Sequence, residues 1–198
     1  MNRRRFAMLG GGSLLATSLL TACSTSPSPV LYTIAPVQGT PRPGGPKVVV
    51  LEQVVLARYL ERQQIVRSSD GYLLDVMSND WWGEPLGAML GRVLVNELSQ
   101  RLPDCTILSE SGGISSTPDA TIELNLQRLD RDASGMLILQ AQAGIAFKGK
   151  GAPVLRGFNF TVTPPASTLI AEVAAISTAV GQLADGLAGM LLVPPSAR

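Results

Sequence analysis

Apolar side chains recur along the chain with two spacings, and each spacing predicts a different kind of element. Apolar and polar residues alternate over 120–127 and again over 137–148, which is typical of strands with one solvated face. A third segment, 154–162, places Phe158 and Phe160 on one face. Turns that contain glycine and proline separate the three segments, so the pattern predicts an antiparallel meander.

The other spacing, of three and four residues, predicts two helices, and the first begins at Glu84-Pro85. Proline suits a helix start because its missing N–H would have no partner there, and the acid lies at the positive end of the helix dipole. Pro103 ends this helix. One apolar stripe runs along it at Leu86, Leu90, Leu94, Leu98 and Leu102.

The second predicted helix is long and amphipathic, and Ser167 or Thr168 caps its start. Its apolar residues fall at alternating spacings of four and three between residues 169 and 190. Two acids on this helix, Glu172 and Asp185, argue against a membrane span. Most of its other side chains are small, which leaves open whether the helix packs on a sheet or on a second copy of the chain.

Shorter apolar runs complete the predicted sheet. Residues 31–34 predict a brief edge strand, and 47–56 contains four consecutive branched residues, which favours a strand near the sheet centre. Residues 65–66 and 72–77 form a strand pair around a tight turn, and 105–108 adds a short strand. The elements predict an α+β fold, with a mixed, largely antiparallel sheet and two long helices packed on one face.

The N-terminus has the pattern of a lipoprotein signal. Three arginines precede an apolar run over residues 6–20, which ends in Leu-Thr-Ala and then Cys23. This is a lipobox, in which the Cys23 thiol is diacylated before cleavage. Each buried methylene contributes about 0.8 kcal/mol, so several acyl chains hold a protein on a bilayer. The arginines permit twin-arginine export as well as Sec export, and the sequence leaves the two unresolved.

These features predict a domain organisation and a cellular location. Residues 1–22 form the signal peptide, 23–46 a lipidated tether with a short strand, 47–192 a single domain and 193–198 a tail. Serine rather than aspartate follows the lipidated cysteine. In Gram-negative lipoproteins this favours the periplasmic face of the outer membrane.

Composition excludes several function classes. Without the signal peptide the chain has 13 basic and 15 acidic residues, so it lacks the excess positive charge that nucleic-acid binding requires. Histidine is absent, which removes Ser-His and Cys-His nucleophile pairs and the commonest zinc sites. Cys105 is the one cysteine left after acylation, and we interpret it as a buried apolar residue. Asp130 and Asp132 lack further oxygen ligands at calcium-binding spacing, so we interpret both as solvated turn residues.

A resemblance to a known family lies between residues 59 and 98. The segments YLERQQIV, WWGEPL and LGRVLVNEL are similar to the ABC-type transport auxiliary lipoprotein family. In the family pattern, proline, arginine and alanine stand where this chain has Gln63, Trp81 and Gly83. The resemblance implies an α+β domain without catalysis, cofactor or metal.

The resemblance also implies partners. Such a lipoprotein would serve an envelope lipid transporter with a mammalian-cell-entry-type protein, a permease and an ATPase, and some members assemble as rings. In this chain the candidate interaction residues are Tyr59, Arg62, Trp81, Trp82 and Glu84. The two adjacent tryptophans cannot both face one core from a strand, so at least one is a candidate for a docking surface, although a loop folded over the helix start would explain them too.

Other functions remain open at this point. A lipid-carrying lipoprotein would need an enclosed apolar cavity of roughly 300 Å³ or more. A cell-envelope assembly lipoprotein of the TolB-like or synthase-activator-like kind would bind other partners with a similar anchor. A hydrolase is disfavoured because no spaced catalytic set of serine, lysine and aspartate is present.

Overall fold

The computed structural model describes residues 28–68, 72–114, 116–149 and 151–193, so the predicted lipidation site at Cys23 lies outside the described residues. The strands are β1 (Val30–Tyr32), β2 (Val48–Leu51), β3 (Val55–Leu56), β4 (Gln64–Ser68), β5 (Asp75–Trp82), β6 (Thr106–Ser109), β7 (Ala120–Arg131), β8 (Leu137–Phe147) and β9 (Val154–Val162). The helices are α1 (Leu86–Arg101) and α2 (Leu169–Leu192), and a 3-10 turn covers Arg58–Leu60.

The sheet is organised around β7. One edge of β7 pairs along its length with β8, antiparallel, and β8 pairs with β9, which confirms the predicted meander. The other edge pairs in succession with β2, β3 and β4, all parallel to β7. Beyond them, β6 runs parallel to β2, β5 antiparallel to β4, and β1 parallel to β5. The mixed sheet confirms the predicted fold class.

Alternation along β7 separates a core face from a solvated face. Ile122, Leu124 and Leu126 are buried, whereas Glu123 and Asn125 between them are exposed. The two helices contact each other, and α2 packs on β8 and β9 while α1 packs on β6. The core therefore lies between this face of the sheet and the two helices.

Helix α2 begins as the sequence predicts. The Thr168 side chain accepts a hydrogen bond from the Ala171 N–H at 3.3 Å and so caps the first turn. By length and composition α2 is apolar enough to cross a membrane, yet 67% of its most apolar window is buried inside the domain. We therefore assign it as a core helix, in agreement with the sequence prediction.

Two predicted details differ from the structure. The 47–56 segment forms two strands, because the chain leaves the ladder at Glu52 and rejoins β7 at Val55. Asp130 was expected in a solvated turn, but it is fully buried within β7. The buried carboxylate is tolerated because Tyr59 Oη donates to it at 2.7 Å and Arg128 Nε at 2.9 Å. Asp132 does lie in the β7–β8 turn, where it accepts from the Ser134 N–H.

A buried arginine fastens the segment before β2 to both helices. Arg101 Nε donates to Asp185 on α2 at 2.7 Å, and its Nη atoms donate to the carbonyls of Val37, Glu97 and Gly181. Glu97, also buried, accepts from the Val37 N–H at 2.7 Å. These bonds attach residues from the predicted tether to the folded domain.

Candidate docking site

Three elements meet at the end of β5, and we call this region the β5 corner: residues 59–64 together with 81–84. Gln64 pairs with Trp81 at the start of β4. The Trp82 N–H donates to the Gln63 carbonyl at 2.7 Å, and the Gly83 N–H donates to the Tyr32 carbonyl at 2.8 Å. Helix α1 starts immediately afterwards. The segments that carry the family resemblance are thus adjacent in space.

The two tryptophans lie on β5 rather than in a loop, so they point to opposite faces of the sheet. Trp82 is only 7% exposed and belongs to the hydrophobic core. Trp81 is half-buried, and its Nε1 donates to the Ser78 carbonyl at 3.3 Å. Only Trp81 of the pair therefore has indole surface available to a partner.

Tyr59 and Arg62 have different roles at the corner. Tyr59 is half-buried against the core and its hydroxyl donates to Asp130, so it fastens the 3-10 turn to β7. Arg62 is exposed, and its Nε donates to the Tyr59 carbonyl at 3.2 Å. The guanidinium is thereby oriented by the turn while it remains accessible to solvent.

Glu84 lies just before α1 and forms an ion pair with Arg92 through both Nε and Nη2. Both side chains are more than a third exposed, so the pair adds little to stability. The acid is also favourable near the positive end of the helix dipole. Of the five predicted residues, Arg62, Trp81 and Glu84 present a cation, an indole and a carboxylate at the surface.

Metal ligands and an activated thiol are the two kinds of reactive group to consider near this patch. Among the residues described, no group of three or more His, Cys, Asp or Glu side chains could hold a metal ion. Cys105 is half-buried, and burial raises the pKa of its thiol, which disfavours the reactive thiolate.

The sequence analysis missed a buried acid at the opposite end of β5. Glu172, in the first turn of α2, is 1% exposed, and neither carboxylate oxygen has a hydrogen-bond partner. Its nearest cations are Arg131 at 3.6 Å and Arg67 at 4.0 Å. Burial is the main cause that raises the pKa of Glu172 to about 7, and Arg131 and Arg67 oppose that shift.

This raised pKa predicts a pH-dependent stability. Between the ordinary value of 4.5 and about 7 the folded state binds more protons than the unfolded chain, so the free energy of unfolding falls as pH rises through this window. We expect Glu172 to contribute a loss of up to about 3 kcal/mol, and Glu172→Gln should remove this contribution. Urea unfolding at about pH 5 and about pH 8 measures the effect.

The exposed acid at the β5 corner supplies the control for this pH dependence. Glu84→Gln should retain the wild-type pH dependence, because Glu84 is partly solvated and already has Arg92 as its partner. If Glu172→Gln and the wild type lose stability equally between the two pH values, the assignment to Glu172 is contradicted.

A groove of about 560 Å³ lies on the sheet face away from the helices. Its lining is mixed: Val55, Leu124, Ala143 and Leu155 are apolar, whereas Glu52, Glu123, Asn125 and Gln142 are charged or polar. Burial, followed by repulsion from Glu123 and Glu110, raises the pKa of Glu52. An open groove with carboxylates in its wall does not provide the enclosed apolar cavity that an acyl chain requires.

Comparison with known families agrees with the resemblance at the β5 corner. A family described as "ABC-type transport auxiliary lipoprotein component" matches residues 32–188. The matched segment includes α1, α2 as far as residue 188, and all nine described strands except the first two residues of β1. No curated protein matches the chain.

Solved structures share the fold at low sequence identity. A crystal structure of an uncharacterized protein is 18% identical, with a TM-score of 0.69 over 82% of this chain and 98% of the other. A protein from Xanthomonas campestris, assigned to the DUF330 family, is also 18% identical, with a TM-score of 0.67 over 82% of this chain and 94% of its own. A dodecameric PelC from Paraburkholderia phytofirmans matches only at a TM-score of 0.38 and 13% identity, over 74% of this chain and 92% of its own, which is too weak to support an argument.

Proposed function

Because the chain belongs to the ABC-type transport auxiliary lipoprotein family, we propose that it is the anchored adaptor of an ABC-linked lipid transport system in the bacterial envelope. Acyl chains on Cys23 hold it at the periplasmic face of the outer membrane, and the folded domain docks a mammalian-cell-entry-type protein that works with a permease and an ATPase. The family match over residues 32–188 is the observation that carries this proposal.

The domain has the properties of an adaptor rather than a catalyst. Its core is packed with aliphatic side chains from the sheet and both helices. The β5 corner exposes part of an indole, Trp81, together with a cation, Arg62, and a carboxylate, Glu84, which suits protein recognition. The role needs no cofactor.

A crosslinking experiment tests the docking proposal. A photoreactive amino acid at Arg62, beside Trp81, should capture the mammalian-cell-entry-type protein in cells, and mass spectrometry identifies the captured partner. The same amino acid at Asn159, an exposed position on β9, is the control and should capture far less of it. Equal capture from both positions, or none from either, contradicts docking at the β5 corner.

We also predict that Trp81→Ala weakens partner binding by about tenfold or more, as expected for a tryptophan at the centre of an interface. Pull-down of the partner with purified lipoprotein measures the loss. Trp82→Ala is the structural comparison, because removing this buried ring should instead lower the free energy of unfolding by about 3 to 5 kcal/mol. If Trp81→Ala leaves binding unchanged, docking occurs elsewhere.

A lipid-carrying role is the main alternative. It is disfavoured because the groove of about 560 Å³ is open to solvent and has Glu52 and Glu123 in its wall. Mass spectrometry of the purified domain tests it, since lipid that co-purifies in fixed proportion would favour carriage over docking.

A further inference from the structure

The turn that leads into β5 exposes three consecutive apolar side chains. Tyr72 is fully exposed, and Leu73 and Leu74 are 82% and 45% exposed. They immediately precede Asp75, the first residue of β5. A run of three exposed apolar residues disfavours solubility unless something covers it, so it indicates a contact surface. We call residues 72–74 the apolar tip.

The first described residues of the chain lie along the edge of β5. Strand β1 runs parallel to β5, with Val30 opposite Asp80, and Asn79 Nδ2 donates to the Ser28 carbonyl at 3.2 Å. Because β1 is parallel to β5, Ser28 lies nearer the start of β5 than Tyr32 does. Leu74 precedes Asn79 by five positions, a distance of about 17 Å along an extended strand.

The predicted acylation site is close enough to share a membrane with this turn. Cys23 precedes Ser28 by five residues, so it lies within about 18 Å of Ser28 at full extension. A tether of this length keeps the domain against the bilayer surface. The apolar tip, about 17 Å from Asn79 along β5, is within reach of the same bilayer for a tether of this length.

From this geometry we infer that the apolar tip inserts into the leaflet that holds the acyl chains. The inference rests on the proposed lipidation of Cys23. Tyr72 suits the headgroup level, where an aromatic ring with a polar hydroxyl is favoured, and Leu73 and Leu74 suit the acyl boundary. The occupant of this surface is therefore a lipid bilayer rather than a protein.

Insertion would fix the orientation of the docking site. Trp81 lies at the far end of β5 from the apolar tip, separated from Leu74 by seven positions, or about 23 Å of strand. A domain held only by a flexible tether could turn its β5 corner in any direction. A domain held at both Cys23 and the apolar tip presents that corner away from the bilayer, toward a partner in the periplasm.

Fluorescence of the mature acylated protein tests the insertion. In a Cys105→Ser background, Leu73→Cys is labelled with an environment-sensitive fluorophore, and the protein is reconstituted into vesicles of phosphatidylethanolamine and phosphatidylglycerol. We expect blue-shifted emission that nitroxide-labelled lipids quench and that iodide in the buffer does not. Leu73 is exposed, so labelling should not disturb the fold.

Leu155→Cys is the matched control. Leu155 is also an exposed leucine, at 74%. It lies on β9 opposite Gly144, and Gly144 in turn pairs with Glu123. Glu123 is near the start of β7, the end of that strand far from the apolar tip. A label there should remain accessible to iodide and unaffected by the nitroxide lipids. Equal behaviour of the two labels would overturn the inference.

The remaining outcomes separate this inference from the proposed function. Intact mass shows whether Cys23 carries acyl chains, and an unacylated protein would overturn both. If the protein is acylated but the label at residue 73 stays accessible to iodide, only the insertion is wrong. The label could also be equally shielded in lipid-free detergent micelles at high protein concentration and become accessible on dilution. In that case a second copy of the chain covers the apolar tip, and the insertion is again overturned.

Discussion

Replacing Arg101 with methionine is expected to lower the free energy of unfolding by about 3 to 5 kcal/mol, the usual cost of removing one member of a buried ion pair. The guanidinium is 1% exposed and donates to Asp185 and to the carbonyls of Val37 and Gly181. Methionine fills similar space but leaves these acceptors without a donor. It also leaves Glu97 buried without its cation, and burial already raises the pKa of that carboxyl.

Urea unfolding of the purified domain measures this change, and Arg92→Met is its matched control. Arg92 is also on α1 and also pairs with an acid, but its side chain is 53% exposed. Its replacement should cost about 1 kcal/mol or less. Similar losses for the two variants would contradict the role assigned to the buried Arg101 cluster.

Replacing Cys23 with alanine is expected to abolish acylation, leave an unprocessed precursor and eliminate envelope function. A single acyl chain binds a bilayer only marginally, with a constant of about 10⁴ per molar, and several chains are needed for stable anchoring. Without these chains the precursor lacks the proposed outer-membrane anchor. Membrane fractionation with intact mass, together with growth in detergent, measures the outcome.

Cys105→Ala is the control for this substitution, because Cys105 is the other cysteine of the chain and lies in the folded domain. It should be processed, acylated and active. Normal envelope integrity in cells that carry only the Cys23→Ala protein would contradict the anchored-adaptor proposal.

Local patterns predicted most of the secondary structure. The cap at Thr168, the start of α1 after Pro85 and the alternation along β7 depend on residues close to one another in sequence, and all three are present. The predicted meander followed from the same short-range signals, since consecutive antiparallel strands need only a turn between them.

The long-range contacts could not be predicted from the sequence. The parallel pairing of β2, β3 and β4 with one edge of β7 leaves no periodic signal, because their partners are distant in the chain. Asp130 was misplaced for the same reason, since its burial depends on Tyr59. The i,i+4 spacing of Glu97 and Arg101 on an apolar helix can be seen in the sequence. The contact of these two residues with the segment around Val37 cannot.

The docking site was predictable in position but only partly in detail. The family resemblance pointed to residues 59–98, and the structure brings Gln64 and Trp81 into register there. The sequence could not decide which tryptophan faces the core, because the end of β5 was predicted five residues too early. Extending β5 to Trp82 assigns that ring to the core and leaves Trp81 at the surface.

The position of β7 has a consequence for how the chain acquires its fold. Strand β2 comes long before β7 in the chain. It cannot pair with β7 until β7 has been synthesised. Contacts this distant in sequence slow folding, because the intervening chain must be ordered first. We therefore expect the first half of the polypeptide to stay unstructured during synthesis and to collapse only once the second half has joined it.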